Sequence, residues 1–300
     1  MYDIIIVGAG PAGMTAAVYA KRAGKSVLVL EASGYGGQII KAAEIRNYPT
    51  EKNISGVEFA TKLYEQAEAL GAEFRFEKVI GIEDKGSEKL VTTVADTYTA
   101  GAVIVATGSD SRKLGIADED KLVGRGVSYC ATCDGSFFRG KNVAVAGGGS
   151  TAVDDALYLS QLAEKVYLIY RTPKLSEEGA KEKLAEHENI VLMPECGITS
   201  LNADKKLESI TVKHKDGTEE DLDVSGLFVA VGRVPENQNF AKLIDLNEKG
   251  YAVSGENCHT ATPGIFVAGD NRVKELRQLV TAAADGAVAA TEAVKYLRTL

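Results

Sequence analysis

The sequence predicts an α/β protein built from two domains of similar design, the second inserted into the first. Two stretches of the chain carry the same pattern, in which an apolar strand, a tight glycine turn, a helix and a second apolar strand follow one another within about 25 residues. The glycine turns are GAGPAG (8–13) and GGGSTA (147–152). A length of 300 residues likewise favours two domains, each with its own core. We therefore predict two Rossmann-like dinucleotide-binding domains, each with a three-layer ββα architecture.

The individual elements follow from hydrophobic periodicity and turn residues. Alternating polarity predicts a β-meander over 73–100 and a hairpin region over 198–224, with a turn at Asp216 and Gly217. Apolar runs predict strands over 2–7, 26–31, 101–109, 141–146, 166–171, 226–233 and 264–270. Helical periodicity predicts helices over 12–23, 55–71, 151–163 and about 276–300.

The order of these elements indicates a discontinuous outer domain. It is expected to comprise residues 1–112 plus 240–300, and the inner domain is expected to comprise residues 113–239. The junctions are polar or contain glycine and proline, as linkers between domains commonly do.

Composition and charge argue against several classes of function. The net charge of −8 and the lack of a basic run argue against nucleic-acid binding. No stretch approaches about 20 uninterrupted apolar residues, so no membrane-spanning helix is expected. The start of the chain lacks the basic region and cleavage site of a signal peptide, so we expect a first strand there and a cytoplasmic location. In such a reducing compartment, the isolated Cys196 and Cys258 are expected to be buried thiols.

The first glycine turn predicts a dinucleotide site. Gly8 allows a tight turn, Gly10 lets the backbone approach a pyrophosphate, and Gly13 lets the helix pack against the sheet. The phosphates would bind the free N–H groups at the helix N-terminus. Glu31 ends the next strand, 23 residues after Gly8, where its carboxylate can accept hydrogen bonds from ribose hydroxyls.

The second glycine turn predicts a related site with a different specificity. Ala152 occupies its third glycine position, and the residue 23 positions after Gly147 is Tyr170 instead of an acid. Arg171 follows. This disfavours the ribose–carboxylate contact of an NAD site and favours a contact between one arginine and a 2′-phosphate.

The segment CATCD (130–134) carries the chemistry. Cys130 and Cys133 are spaced so that they can close a disulfide, and this spacing lowers the pKa of one thiol, whose thiolate can then act as a nucleophile. Asp134 can exchange protons with the leaving thiolate. A metal site is not expected, because zinc would need two further ligands and the histidines lack ligand spacing (His187, His214 and His259).

Taken together, these motifs resemble the low-molecular-weight thioredoxin reductases. The matching segments are GAGPAG, GGQ (36–38), VATGS (105–109), CATCDG (130–135), GGGSTA, VAVGR (229–233), GIFVAGD (264–270) and LRQLVTAAADG (276–286). A CATCDG segment within the inserted domain is specific to this family and its close relatives. The resemblance implies an FAD-dependent thioredoxin-disulfide reductase that forms a homodimer.

The resemblance also implies the cofactor sites and the catalytic roles. FAD would be bound in the outer domain by Gly8, Gly10, Pro11, Ala12, Gly13, Glu31, Gly37, Gln38, Asn47, Thr107, Gly108, Gly269, Asp270, Arg277, Gln278 and Leu279. NADPH would be bound in the inner domain by Gly147, Gly149, Ser150, Thr151, Ala152 and Arg171. Cys133 would face the flavin, Cys130 would attack the disulfide of thioredoxin, and Asp134 would be the acid.

One departure from the family leaves the electron donor open. The family's 2′-phosphate motif reads HRRxxxR, whereas here Arg171 alone remains, at a cost of about 3–6 kcal/mol in phosphate contacts. NADPH could bind through Arg171 and Lys174, NADH could bind with help from Glu177 or Glu178, or ferredoxin could deliver the electrons. The predicted function is NADPH-driven thioredoxin reduction, with the NADH-dependent or ferredoxin-dependent reductase and a flavin redox sensor without turnover as alternatives.

Overall fold

The computed structural model describes residues 1–42, 44–176 and 178–300. The chain divides into two compact units, one formed by Met1–Asp110 with Val234–Leu300 and the other by Ser111–Arg233. None of the helices in the described ranges combines the length and apolar character needed to span a membrane.

The two units are built from strands and α-helices joined by short 3-10 turns. The strands are β1 (Tyr2–Val7), β2 (Val27–Leu30), β3 (Glu73–Arg75), β4 (Val79–Asp84), β5 (Lys89–Thr93), β6 (Thr97–Val105), β7 (Ser109–Ser111), β8 (Val127–Ser128), β9 (Asn142–Ala146), β10 (Lys165–Tyr170), β11 (Ile190–Pro194), β12 (Gly197–Ala203), β13 (Leu207–Lys213), β14 (Glu219–Asp223), β15 (Gly226–Val229), β16 (Arg233–Pro235) and β17 (Ile265–Val267). The α-helices are α1 (Pro11–Arg22), α2 (Gly56–Ala69), α3 (Glu119–Leu122), α4 (Ala131–Asp134), α5 (Ser150–Ser160), α6 (Ala180–Ala185) and α7 (Leu279–Leu297).

The first unit has a parallel sheet of order β3-β2-β1-β6, to which β17 adds beside the end of β6. Two strands pair with the same edge of β6. Residues 97–100 pair with the antiparallel strand β5, and residues 103–105 pair with the parallel strand β17. The antiparallel strands β5 and β4 thus continue the same seven-stranded sheet beyond the start of β6. The predicted meander was wrong at its start, since β3 pairs in parallel with β2, and the predicted strand over 101–109 is the second half of β6.

Burial on both faces explains why β1 is apolar from Ile4 to Val7. Ile4 and Ile6 pack in the core that contains α1 and α7, while Ile5 packs with β2 and β17 on the other face. Parallel sheets covered on both sides require such runs instead of alternating polarity. The glycine turn after β1 is therefore fixed between a rigid strand and a rigid helix.

The second unit repeats the design. Its parallel sheet has the order β11-β10-β9-β15-β8, and α5 follows β9 as α1 follows β1. The predicted hairpin region contains the antiparallel strands β12, β13 and β14, and Asp216 lies in the turn between the last two. The predicted fold class, with two Rossmann-like α/β units, is confirmed.

Several boundaries differ from those expected. The second passage between units lies at Arg233 instead of residue 239, because the fully buried Asn237 donates to the carbonyl oxygens of Gly250 and Asn271 in the first unit. The helix α7 begins at Leu279, since the preceding Gln278 caps it with its side chain. Hydrophobic periodicity also missed the short helices α3, α4 and α6, which are each six residues or fewer.

Candidate active site and nucleotide cradles

The first glycine turn leaves an open space at the N-terminus of α1. Gly8 has a φ of +107°, and a Cβ there would lie 2.4 Å from the carbonyl oxygen of Ala106. A Cβ on Gly13 would lie 1.9 Å from the carbonyl oxygen of Gly8. By contrast, a Cβ on Gly10 would meet no described atom within 4 Å. Packing therefore requires the outer two glycines, and the middle one borders a space that a phosphate group can enter.

Polar groups around this space suit a dinucleotide. The first N–H groups of a helix have no partner within it, and the Gly10 cap of α1 adds no side chain to bind them. Glu31 lies at the end of β2, where one carboxylate oxygen accepts the Ala9 N–H at 2.8 Å and the other accepts the Ser33 N–H at 3.1 Å. The carboxylate is thereby held beside the glycine turn, with lone pairs left for ribose hydroxyls.

Two other predicted glycines lie against the same turn. Gly37 approaches so closely that a Cβ would lie 3.3 Å from the Cα of Gly10. Gly269, with a φ of +88°, lies where a Cβ would come within 2.9 Å of the Ala12 Cβ. The half-buried Asp270 follows it directly. The structure thus brings these two predicted segments together at the start of α1.

The remaining predicted residues of the first unit make contacts of their own. The Asn47 side chain donates to the side-chain amide oxygen of Gln278 at 2.9 Å, which joins two segments 231 residues apart. Gln38 donates to Asp110 at the end of the first unit. Arg277 stacks over a tyrosine ring, Thr107 and Gly108 follow β6, and Leu279 begins α7.

The second glycine turn has the same geometry as the first. Gly147 has a φ of +148°, and a Cβ there would lie 2.4 Å from the carbonyl oxygen of Ala230. A Cβ on Gly149 would meet no described atom within 4 Å. Ala152, at the third position, is fully buried, and the exposed Ser150 and Thr151 begin α5.

The loop after β10 folds back onto this second turn. The Ser176 N–H donates to the carbonyl oxygen of Gly148 at 2.8 Å. Arg171 and Lys174 lie on this loop and are exposed, whereas Tyr170 is buried. The loop therefore offers two cations beside the turn. Glu177, the first of the two predicted acids, lies outside the described residues, and Glu178 is exposed.

The two cysteines of the CxxC segment are joined by a disulfide across a Cα–Cα distance of 5.3 Å. Cys130 caps α4, and its sulfur accepts the Cys133 N–H at 3.2 Å and lies 3.5 Å from the Thr132 hydroxyl. Hydrogen bonds to sulfur stabilise a negatively charged thiolate, so after reduction these contacts would support Cys130 as the nucleophile. The other two cysteines, Cys196 and Cys258, are free and buried, as expected.

Asp134 lies beside this pair of cysteines, and its pKa is raised above the ordinary value. Its carboxylate accepts a hydrogen bond from the Ser128 hydroxyl at 2.6 Å. Burial raises the pKa of Asp134, and the bond from Ser128 only partly opposes the shift. Ser128 also accepts the Cys130 N–H at 3.0 Å, so one hydroxyl links the acid to the disulfide. Sequence reasoning missed Ser128 because no motif marks a serine two residues before a CxxC segment.

Comparison with known proteins gives a consistent result. A model of the family described as pyridine nucleotide-disulphide oxidoreductase matches residues 2–286. The thioredoxin reductase of Listeria innocua is 42% identical over all of this chain and 95% of its own length, and that of Bacillus subtilis is 39% identical over all of this chain and 96% of its own.

The chain is also similar in structure to solved thioredoxin reductases. Thioredoxin reductase from Streptococcus pyogenes has a TM-score of 0.96 at 37% identity and covers 100% of this chain and 99% of its own. Thioredoxin reductase from Giardia duodenalis has a TM-score of 0.94 at 32% identity, with 99% of each chain covered.

Proposed function

Because this chain belongs to the thioredoxin reductase family of pyridine nucleotide-disulphide oxidoreductases, we propose that it reduces the disulfide of thioredoxin through Cys130 and Cys133. The family uses FAD and NADPH. The observation that carries the proposal is the Cys130–Cys133 disulfide beside the half-buried acid Asp134, in a chain that also has two open glycine cradles.

The residues of the first unit fit FAD. The open space beside Gly10 accommodates a pyrophosphate, and the carboxylate of Glu31 can accept ribose hydroxyls. Asp270 would bind the ribityl chain. The rest of the site would be formed by Gly37, Gln38, Asn47, Thr107, Gly108, Gly269, Arg277, Gln278 and Leu279. When bound, FAD supplies the electron pair that opens the Cys130–Cys133 disulfide.

The exchange with thioredoxin then needs only this chain's own residues. The Cys130 thiolate attacks one sulfur of the thioredoxin disulfide, a mixed disulfide forms, and the released sulfur takes the proton of Asp134. The Cys133 thiolate next attacks the sulfur of Cys130, which restores the disulfide and releases the second thioredoxin sulfur as a thiolate, and this thiolate takes a proton from solvent. Two electrons leave the cysteine pair and two are gained by thioredoxin, so the step balances.

Replacing the acid tests its role through the pH dependence of turnover. We expect Asp134→Asn to lower the rate of thioredoxin reduction by about 10-fold to 100-fold, because the leaving sulfur loses its proton donor. In the unchanged protein the rate falls as pH rises through the raised pKa of Asp134, since the proton is then lost. This limb should be missing from the pH–rate profile of Asp134→Asn.

Ser128→Ala is the matched control for this experiment. This variant keeps Asp134 but removes the hydrogen bond that lowers the pKa of its carboxyl group. The fall in rate with rising pH should therefore move to higher pH. Identical profiles for all three proteins would show that Asp134 is not the proton donor.

We propose NADPH as the electron donor, with its pyrophosphate beside Gly149 and its 2′-phosphate on Arg171 and Lys174. Arg171 is exposed, so water also hydrogen-bonds to its guanidinium and weakens its contact with the 2′-phosphate. Arg171→Ala should therefore weaken NADPH binding by only roughly 3-fold to 30-fold. NADH lacks the 2′-phosphate, so its affinity should stay unchanged and serves as the internal control. Stopped-flow mixing with each nucleotide measures both. Faster flavin reduction by NADH or by reduced ferredoxin than by NADPH would contradict this choice of donor.

The oligomeric state, the location and the alternative functions are the remaining expectations. A homodimer and a cytoplasmic location stay predictions, and sedimentation of the purified protein tests the first. Ferredoxin as a partner is the alternative to NADPH. A flavin redox sensor without turnover is excluded if insulin or DTNB is reduced at a steady rate in the presence of thioredoxin.

A further inference from the structure

A buried carboxylate on α7 joins the loop that follows β17. Asp285 is only 6% exposed. Its two oxygens accept hydrogen bonds from the Arg272 guanidinium at 2.7 and 2.8 Å, from the Lys274 ammonium at 2.8 Å and from the Gly269 N–H at 2.9 Å. One side chain therefore fixes three positions of a six-residue segment.

Attaching this loop to α7 does not by itself require a buried network of charged side chains. The side chains of Arg272 and Lys274 are 4% and 8% exposed, and burying charge is costly unless each charge is paired. Burial alone would raise the pKa of Asp285, but the two cations outweigh it and hold the pKa below the ordinary value, so the carboxylate is ionised. Apolar side chains could attach a loop to a helix at lower cost.

The network lies where the Gly269 loop and α7 both pack against Ala12 of α1. A Cβ on Gly269 would come within 2.9 Å of the Ala12 Cβ, and a Cβ on Gly286 would lie 2.1 Å from the Ala12 carbonyl oxygen. Ala12 belongs to the first turn of α1, next to the open space at Gly10. Asp285 therefore sets the distance between the Gly269 loop and the N-terminus of α1.

We propose that Asp285 is a positioning residue of the FAD site, which holds Gly269 and Asp270 in place before the cofactor binds. This inference rests on the FAD site proposed above. Fixing a loop in its bound conformation removes the ordering cost from the binding step. Loss of the carboxylate should therefore weaken FAD binding more than it changes anything else in the first unit.

The variants Asp285→Ala and Asp285→Asn test the inference by FAD affinity. We expect the FAD dissociation constant of Asp285→Ala to rise by about 10-fold to 100-fold, with faster FAD release, because the loop loses four hydrogen bonds. Asp285→Asn should show a smaller rise, since its amide oxygen can still accept the Gly269 N–H while the charge is lost. Fluorescence titration of FAD-stripped protein measures the constant.

Glu292→Gln is the matched control. Glu292 lies two turns further along α7 and also pairs with two basic side chains, those of His259 at 3.0 Å and Lys295 at 2.6 Å, but near the surface. Its loss should leave FAD affinity unchanged.

Thermal unfolding separates positioning from a merely structural role. A positioning role predicts that the rise in melting temperature produced by FAD shrinks in Asp285→Asn, because the stabilisation by a bound ligand grows with the logarithm of its affinity. If the melting temperatures with and without FAD fell equally and the dissociation constant matched the unchanged protein, the inference would be overturned. Loss of thioredoxin reduction with normal FAD affinity in the unchanged protein would instead refute the proposed function alone.

Discussion

Cys130→Ser and Cys133→Ser should each lower the rate of thioredoxin reduction by roughly a thousandfold or more while leaving FAD bound. Each serine removes one sulfur of the pair, so the disulfide that accepts the electron pair can no longer form. The cysteines lie in the second unit and the proposed FAD cradle in the first, so flavin content should not change. Steady-state reduction of insulin through thioredoxin measures the loss, and flavin absorbance measures the content.

Cys196→Ser controls for the loss of any thiol. Cys196 is free and buried in the same unit, where its sulfur lies 3.1 Å from the Pro194 carbonyl oxygen, a contact that a serine hydroxyl can replace. This variant should turn over normally. Turnover that persists in both Cys130→Ser and Cys133→Ser would exclude the proposed exchange.

Gly10→Val should abolish FAD binding without unfolding the protein. Gly10 has a φ of −75° and a ψ of 179°, which valine can adopt, and a Cβ there meets no described atom within 4 Å. The side chain would instead fill the space proposed for the pyrophosphate. Two lost charge-assisted hydrogen bonds of about 1.5–3 kcal/mol each imply FAD affinity lower by about 10²-fold to 10⁴-fold.

Two other glycines make this experiment specific. Gly81 lies in β4, where an added Cβ also meets open space, so Gly81→Val should keep FAD. Gly13→Val should unfold the first unit, because its Cβ would overlap the Gly8 carbonyl oxygen. Normal FAD content in Gly10→Val would show that the cofactor does not bind at this turn.

The glycine turns could be predicted because their constraints are local. A positive φ at Gly8 and the close approach at Gly13 arise within six residues of one another, so the sequence pattern carries them directly. The spacing of Cys130 and Cys133 is local in the same sense, and the structure joins them as expected. Strand-turn-helix units of this kind are therefore readable from one sequence.

Contacts between segments that are distant along the chain could not be predicted from local sequence patterns. Arg272 and Asp285 are 13 residues apart, with a loop and a helix start between them, so nothing in the local pattern pairs them. Likewise β3 has the alternating polarity of an edge strand, and only its pairing with β2 shows that it is parallel. Such features depend on which elements become neighbours, and hydrophobic periodicity does not determine that.

Electron counting tests the central claim most directly. The claim is that bound FAD and the Cys130–Cys133 disulfide exchange electron pairs. In an anaerobic titration of the FAD-loaded protein with dithionite, we expect each chain to take up two electron pairs before its flavin absorbance is fully lost, one for the flavin and one for the disulfide. Cys133→Ser should take up one pair. Complete bleaching of the unchanged protein after a single pair would contradict the account.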